Sequence, residues 1–412
     1  MADLSDLDQA GVTLNLLDPA TFDSGVPHAV VAALRERSPL QWVSEVEGPG
    51  YWVALGHPEI VEISTNPSVF SSWAMSCFPR DPRPSDLPEI RQMLLNMDPP
   101  QHTGFRRIVS RVFTPRMVRE LQGTIEAHAR AVVGDLPNEP FNFVRSVGVE
   151  MSLRVLADVM GLPQEDRHLL YDWTERLVGD GDTELGGDPV AFGSALMEMF
   201  QYADEQTTRK RREPTGDVWS MVANAEVDGE QLTKDELNRF FQLLATAGNE
   251  TTRTLISAGF LALARHPDQL ARVVADPDAT VGAAVEEMLR FHAPVMQFRR
   301  TALIDAEVAG HRIAAGQKVL LLYPAGNRDP RVFPSPEVFD VGRDPNPHLS
   351  FGIGPHFCLG ANLARVQARA LFSELLRQPF SLELAGDPIA VRSTLIDGYR
   401  DISVRKAPQV VP

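Results

Sequence analysis

Between residues 101 and 290 apolar positions return every three to four residues, the period that lines one face of a helix. The runs 116–135, 144–160, 188–210 and 234–265 carry it most clearly, with Gly and Pro between them, and they predict a helical body over 57–293. A further helix is predicted from Cys358 to about Arg377. On either side the period shortens to that of strands. QWVSEV (41–46) and YWVAL (51–55) flank a Gly-Pro-Gly turn and predict a hairpin, and prolines with β-like pieces such as KVLLLY (318–323) occupy 294–350. The β-rich portions are therefore placed at 40–56, 294–325 and 380–405. No repeat, low-complexity tract or linker divides them, so 1–412 is expected to form one mainly α domain with a small β region.

The longest predicted helix, TKDELNRFFQLLATAGNETTRTLISAGFLALARHP, opens with Thr233 and Glu236 in capping-box spacing and ends before Pro267. Leu237, Phe240, Phe241, Leu244, Leu255 and Phe260 mark a deeply buried face. Gly248, Asn249, Glu250, Thr251 and Thr252 interrupt it. A charge and hydroxyls inside a buried helix cost stability unless they are paired, solvated or used. Taken alone, a solvent-facing patch and a functional segment explain them equally well.

Composition narrows the function classes. The 412 residues are 43% hydrophobic and 23% charged, which is ordinary globular composition. Fifty-five acidic against 39 basic residues give a formal charge of -16, which argues against nucleic acid as a partner. The start has no basic, apolar leader and no run approaches the ~18 apolar residues of a membrane span, so no membrane anchor and a cytoplasmic location are expected. Two cysteines, Cys77 and Cys358, are too few for a disulfide framework.

Cys358 lies in FGIGPHFCLG (351–360), among three glycines at the start of a helix, where a thiolate is favoured. A structural zinc site lacks its other ligands. A nucleophile based on His356 is only two residues away and has no orienting third group. A dinucleotide loop fails because Phe357 stands where a third glycine belongs. A small buried core thiol remains open but leaves the glycines unexplained. Glycines before a thiolate let the backbone pass close to a flat cofactor and aim N–H groups at the sulfur, an arrangement suited to haem.

Phe351, Gly354, Cys358 and Gly360 resemble the F-x-x-G-x-x-x-C-x-G signature of the cytochrome P450 haem-thiolate monooxygenases. The likeness extends over nearly the whole chain. It implies a triangular α-rich prism with haem b between the long central helix and the cysteine loop, and Cys358 as the iron ligand. AGNETT (247–252) is similar to the family's oxygen-activating segment, with Glu250 and Thr251 as its acid–alcohol pair in a helix opened locally at Gly248. Glu287 and Arg290 match its E-x-x-R pair and Arg343 the arginine that completes the triad. By spacing alone Glu286 reaches Arg290 equally well. His102, Arg106, Arg300 and His356 match the positions that neutralise the haem propionates, and Arg300 is chosen over Arg299 by its offset to Asp305.

The resemblance further implies thiolate donation that favours O–O cleavage, with protons delivered through Glu250 and Thr251. Segments 72–97, 165–190, 240–251, 295–298 and 393–397 correspond to the distal pocket. They offer Trp73, Met75, Leu243, Leu244, Ala247, Val295, Met296, Phe298, Leu395 and Ile396, a lining suited to a terpenoid, steroid or fatty-chain substrate. Electrons are expected from an acidic ferredoxin with its reductase. The stretches 99–119 and 358–373 contain no acid and carry Arg107, Arg111, Arg365 and Arg369, a basic docking patch on the thiolate side. A peroxide-driven peroxygenase and a non-enzymatic haem protein are the alternatives, and the acid–alcohol pair speaks against both.

Overall fold

The long central helix is set by its own ends. Thr233 Oγ1 accepts the Glu236 N–H at 3.3 Å and Glu236 Oε2 accepts the Thr233 N–H at 2.8 Å, which satisfies two donors that a helix start leaves free. From there Lys234–Arg265 runs unbroken to His266. The structure, a computed structural model, describes residues 14–45, 48–110, 113–178, 189–227 and 229–408. Helix accounts for 54% of it.

The main helices are α1 (His28–Arg37), α2 (His57–Thr65), α3 (Gln101–Ser110), α4 (Pro115–Gly134), α5 (Glu150–Met160), α6 (Arg167–Val178), α7 (Pro189–Arg212), α8 (Lys234–Arg265), α9 (Pro277–Phe291) and α10 (Ala361–Leu376). The predicted run 144–160 divides into a π-helical turn, Val144–Val149, and α5. Around α8 the apolar faces form one large core, including Val147, Leu156, Trp219, Phe241, Ile256 and Phe372. Phe143 stacks on Phe260 with ring centroids 4.1 Å apart. Gly248 lets α5 approach α8, because a Cβ there would lie 2.8 Å from Leu156 Cδ1.

The principal sheet has β1 (Leu40–Val43), β2 (Tyr51–Ala54), β3 (Phe70–Ser71), β4 (Gln297–Ala302) and β5 (Lys318–Leu322), in the order β1-β2-β5-β4-β3. The predicted hairpin is β1–β2, with Trp42 opposite Trp52. β5 joins it in parallel and pairs antiparallel with β4, so Val319 lies opposite Arg300 and Leu320 opposite Arg299. Strand alternation then sends these two arginines to opposite faces. Phe380–Leu384, Ser403–Pro408 and Phe141–Asn142 make a second, three-stranded sheet. Among the described residues no helix is long and apolar enough to cross a membrane.

Candidate active site

The cysteine loop is shaped by its approach to α2. Gly354 has φ +76°, and a Cβ there would lie 2.6 Å from the Ser64 carbonyl oxygen, so a side chain is excluded by backbone. After the turn Gly354–His356, the Cys358 N–H donates to the Phe351 carbonyl at 2.8 Å, and α10 begins three residues later. Cys358 is reachable from outside yet surrounded by protein. Burial raises its thiol above the usual value, while the Gly360 N–H and the charges of Arg106 and Arg365 act in the opposite direction. Cys77 is enclosed beside Arg300, and burial pushes its thiol up to about 12.

His102, Arg106, Arg300 and His356 converge beside this loop. The two imidazoles pack against each other at a tilt of 47°, with centroids 4.3 Å apart. Arg106 donates to the Phe357 carbonyl, and Arg300 donates to the Arg299 carbonyl at 2.7 Å. Burial, then the neighbouring Arg300, His102 and Arg106, push His356 down to about 2; burial and Arg106 hold His102 at about 4. His102 Nε2 is buried without a hydrogen-bond partner. The nearby carboxylate, Asp98, is engaged by Ser71 Oγ and by the Ser72 and Trp73 N–H groups. Two guanidiniums, one of them buried, beside neutral imidazoles with an unpartnered ring nitrogen call for an anion. Together with a sulfur that has the Gly360 N–H and two arginines beside it, they fit a haem with its two carboxylates. Arg299, on the other face of β4, is bound to Asp81 at 2.5 Å, which agrees with choosing Arg300.

The polar segment of α8 is not a solvent patch. Asn249, Glu250 and Thr252 are buried. Asn249 accepts from Ser152 Oγ at 2.9 Å and donates to Thr174 Oγ1 at 2.7 Å. Glu250 Oε2 accepts from Arg253 at 2.5 Å, Arg253 also binds Glu175 of α6 at 2.5 Å, and Glu250 Oε1 is buried with no partner. Burial, reinforced by Glu175 and opposed by Arg253, raises the Glu250 carboxyl to about 7. Thr251 Oγ1 donates to the Ala247 carbonyl at 2.7 Å. The local opening expected at Gly248 is absent: α8 is continuous there, and the glycine serves the contact with Leu156.

Glu287, Arg290 and Arg343 form the expected triad. Arg290 donates to both Glu287 oxygens at 2.8 Å, and Arg343 Nε approaches Glu287 Oε2 at 3.2 Å. Glu286 turns elsewhere, to Arg365 and His348. Arg365 is therefore not a free docking cation: Glu286 neutralises it through two 2.8 Å bonds and it lies over the Phe351 ring. Of the remaining patch residues, Arg107 is exposed, Arg369 is half-exposed and 3.8 Å from Glu286, and Arg111 lies outside the described residues.

Trp73, Leu243, Leu244, Val295 and Phe298 are partly buried and Ala247 is exposed, as a cavity lining requires. Val295 and Ile396 pair in an isolated antiparallel bridge. Met296 departs from the expectation. It is enclosed with Leu14, Phe22, Tyr51 and Leu322 in a sheet core, because the alternation that turns Phe298 and Arg300 to the opposite face begins only at Gln297. Arg253 and Glu175 escaped the sequence reading. Arg253 was legible at i+3 from Glu250, whereas Glu175 comes from another helix 78 positions away.

The cytochrome P450 family model matches residues 191–394. A steroid C26-monooxygenase of Rhodococcus jostii is 35% identical over 94% of this chain and 83% of its own length. A methyl-branched lipid omega-hydroxylase of Mycobacterium tuberculosis is 36% identical over 96% of this chain and 94% of its own. A Mycobacterium marinum cytochrome P450 solved with pseudoionone superposes with a TM-score of 0.88 at 37% identity, covering 96% of this chain and 98% of that one. With its cysteine loop, arginine and histidine cluster and Glu-Arg-Arg triad, the chain belongs to the cytochrome P450 family and is a haem-dependent monooxygenase.

Proposed function

We propose that this enzyme hydroxylates the end of a branched aliphatic chain on a steroid, terpenoid or fatty lipid, with haem b as its cofactor and an acidic ferredoxin and its reductase as its electron source. Carbon 26 of a steroid and the omega carbon of a methyl-branched lipid, named for two relatives, are both chain ends beside a branch. Trp73, Leu243, Leu244, Ala247, Val295 and Phe298 supply a surface that gains by covering apolar carbon, with the buried Ile396 behind Val295. The three β and helical regions are read as one domain.

The observation that carries the proposal is the buried group Glu250–Arg253–Glu175 in an otherwise apolar helix. Two carboxyls sharing one guanidinium favour retention of a proton, and Glu250 holds it near neutral pH. Its free Oε1 is the oxygen available to pass that proton on. Thr251, tied to the Ala247 carbonyl, presents its lone pairs as acceptors, and it donates only on leaving that carbonyl. Cys358 would ligate the haem, which supplies the iron at which O2 is cleaved with the help of thiolate donation. His102, Arg106, Arg300 and His356 would anchor the propionates.

A ligand carrier has no use for such a proton-holding group, and a peroxide-driven enzyme receives its protons with the oxidant. The test is a Soret-shift screen of branched-chain lipids and steroids, followed by product analysis with ferredoxin or peroxide as electron source. A terminal alcohol formed with ferredoxin is expected. Oxidation confined to ring or mid-chain carbons, or turnover with peroxide alone, would contradict the proposal.

A further inference from the structure

Behind the cysteine loop Glu286 of α9 collects three partners from other parts of the chain. Arg365 Nε donates to Oε1 and its NH2 group to Oε2, both at 2.8 Å. His348 Nε2 lies 3.2 Å from Oε2. Because His348 Nδ1 accepts the Ser350 N–H at 3.3 Å, the neutral ring carries its hydrogen on Nε2 and donates it to Glu286. Arg369 approaches Oε1 to 3.8 Å. Burial alone would raise Glu286, but the bonds from His348 and Arg365 hold it down at about 2, so it remains a carboxylate.

The guanidinium so held is aimed at the thiolate site. Arg365 Cζ lies 4.5 Å from the centroid of the Phe351 ring, and His348 packs on the same ring with centroids 5.8 Å apart. The Phe351 carbonyl in turn accepts the Cys358 N–H. The bidentate fork fixes the cation in both position and plane, which a lone arginine on a helix surface would not achieve. A fixed charge near a ligand sulfur in a partly enclosed setting alters how much electron density the sulfur gives its metal.

We propose that Glu286 and Arg365 form a positioning pair that holds a cation against the back of the cysteine loop and so sets how strongly Cys358 donates to the haem iron. This rests on Cys358 being the haem ligand. The pair acts through Phe351 and the sulfur and touches neither substrate nor oxygen, so its signature is electrochemical.

The experiment measures the ferric/ferrous reduction potential of the haem-loaded wild type, Glu286→Gln, Arg365→Leu and Arg365→Lys, with the carbon monoxide spectrum of each as a control. Arg365→Leu removes a positive charge and should lower the potential. Glu286→Gln removes a negative charge but keeps an amide oxygen that accepts from Arg365, which holds the cation over the ring, so it should raise it. Each shift should be about tenfold in the ferrous-to-ferric ratio at fixed potential, ~59 mV for one electron. Arg365→Lys should move it less than Arg365→Leu.

A merely structural role would move Glu286→Gln and Arg365→Leu in the same direction, or neither, and either result overturns the proposal. If Arg365→Leu does not retain haem, Glu286→Gln decides alone: a potential unchanged or lowered overturns it. A wild type without the thiolate-type carbon monoxide band would instead refute the haem-ligand reading itself.

Discussion

Arg253 binds Glu250 of its own helix and Glu175 of α6 at 2.5 Å each, so one guanidinium serves two carboxyls. The surplus negative charge, enclosed in protein, is what makes Glu250 retain a proton. Tyr171 and Arg145 lie at the edge of the same group, Arg145 above the Tyr171 ring. Glu250 is raised from the ordinary carboxyl range to about 7, so it is protonated below that pH and ionised above it. Product formed per electron should therefore fall as pH rises through about 7, and Glu250→Gln should remove that dependence while slowing turnover by ~10²-fold. The same shift contributes stability that is full below the unfolded carboxyl value and is lost as pH rises through about 7. Oxygen-consumption and product assays across pH 6 to 8.5 (roughly one to two units about the folded value) measure the first effect.

Thr251→Ala should retain haem and substrate binding, because the hydroxyl's resting partner is the Ala247 carbonyl of its own helix. Its electrons should go largely to peroxide. Peroxide and product are quantified in the same assay, and an unchanged ratio would remove Thr251 from the proton route.

Removing Glu287 leaves Arg290 fully buried and without its carboxylate, with Arg343 beside it. Glu287→Ala should cost ~3–5 kcal/mol. Thermal or denaturant unfolding reads this directly, and poor haem incorporation should accompany it because Asn346 and the Asp340 N–H also bind that carboxylate on the way to the cysteine loop.

Much of this site was legible in the sequence because its signals are local. Thr233 and Glu236 announce the start of α8, and the glycines of 352–360 announce a constrained loop. The relations that escaped are tertiary. Glu286 and Arg365 are 79 positions apart, so a run of α10 without acids looked like a basic patch until α9 supplied the counter-charge. Met296 was misplaced because its direction depends on where strand alternation begins, and Gly248 because close packing and helix opening both call for glycine.

With Arg365 neutralised, the cleaner docking probes are Arg107 and Arg369. Reversing both to Glu should raise the ferredoxin concentration needed for half-maximal reduction and flatten its dependence on salt, leaving the substrate-induced Soret shift intact. Stopped-flow reduction that ignores both charge reversal and salt would place docking elsewhere.

The most direct test of the account is the carbon monoxide spectrum of the reduced protein in which Cys358 is changed. Wild type and Cys77→Ala should absorb at the position of a thiolate-ligated haem, and Cys358→His should retain haem but lose that band. A thiolate-type band that persists in Cys358→His would contradict the account.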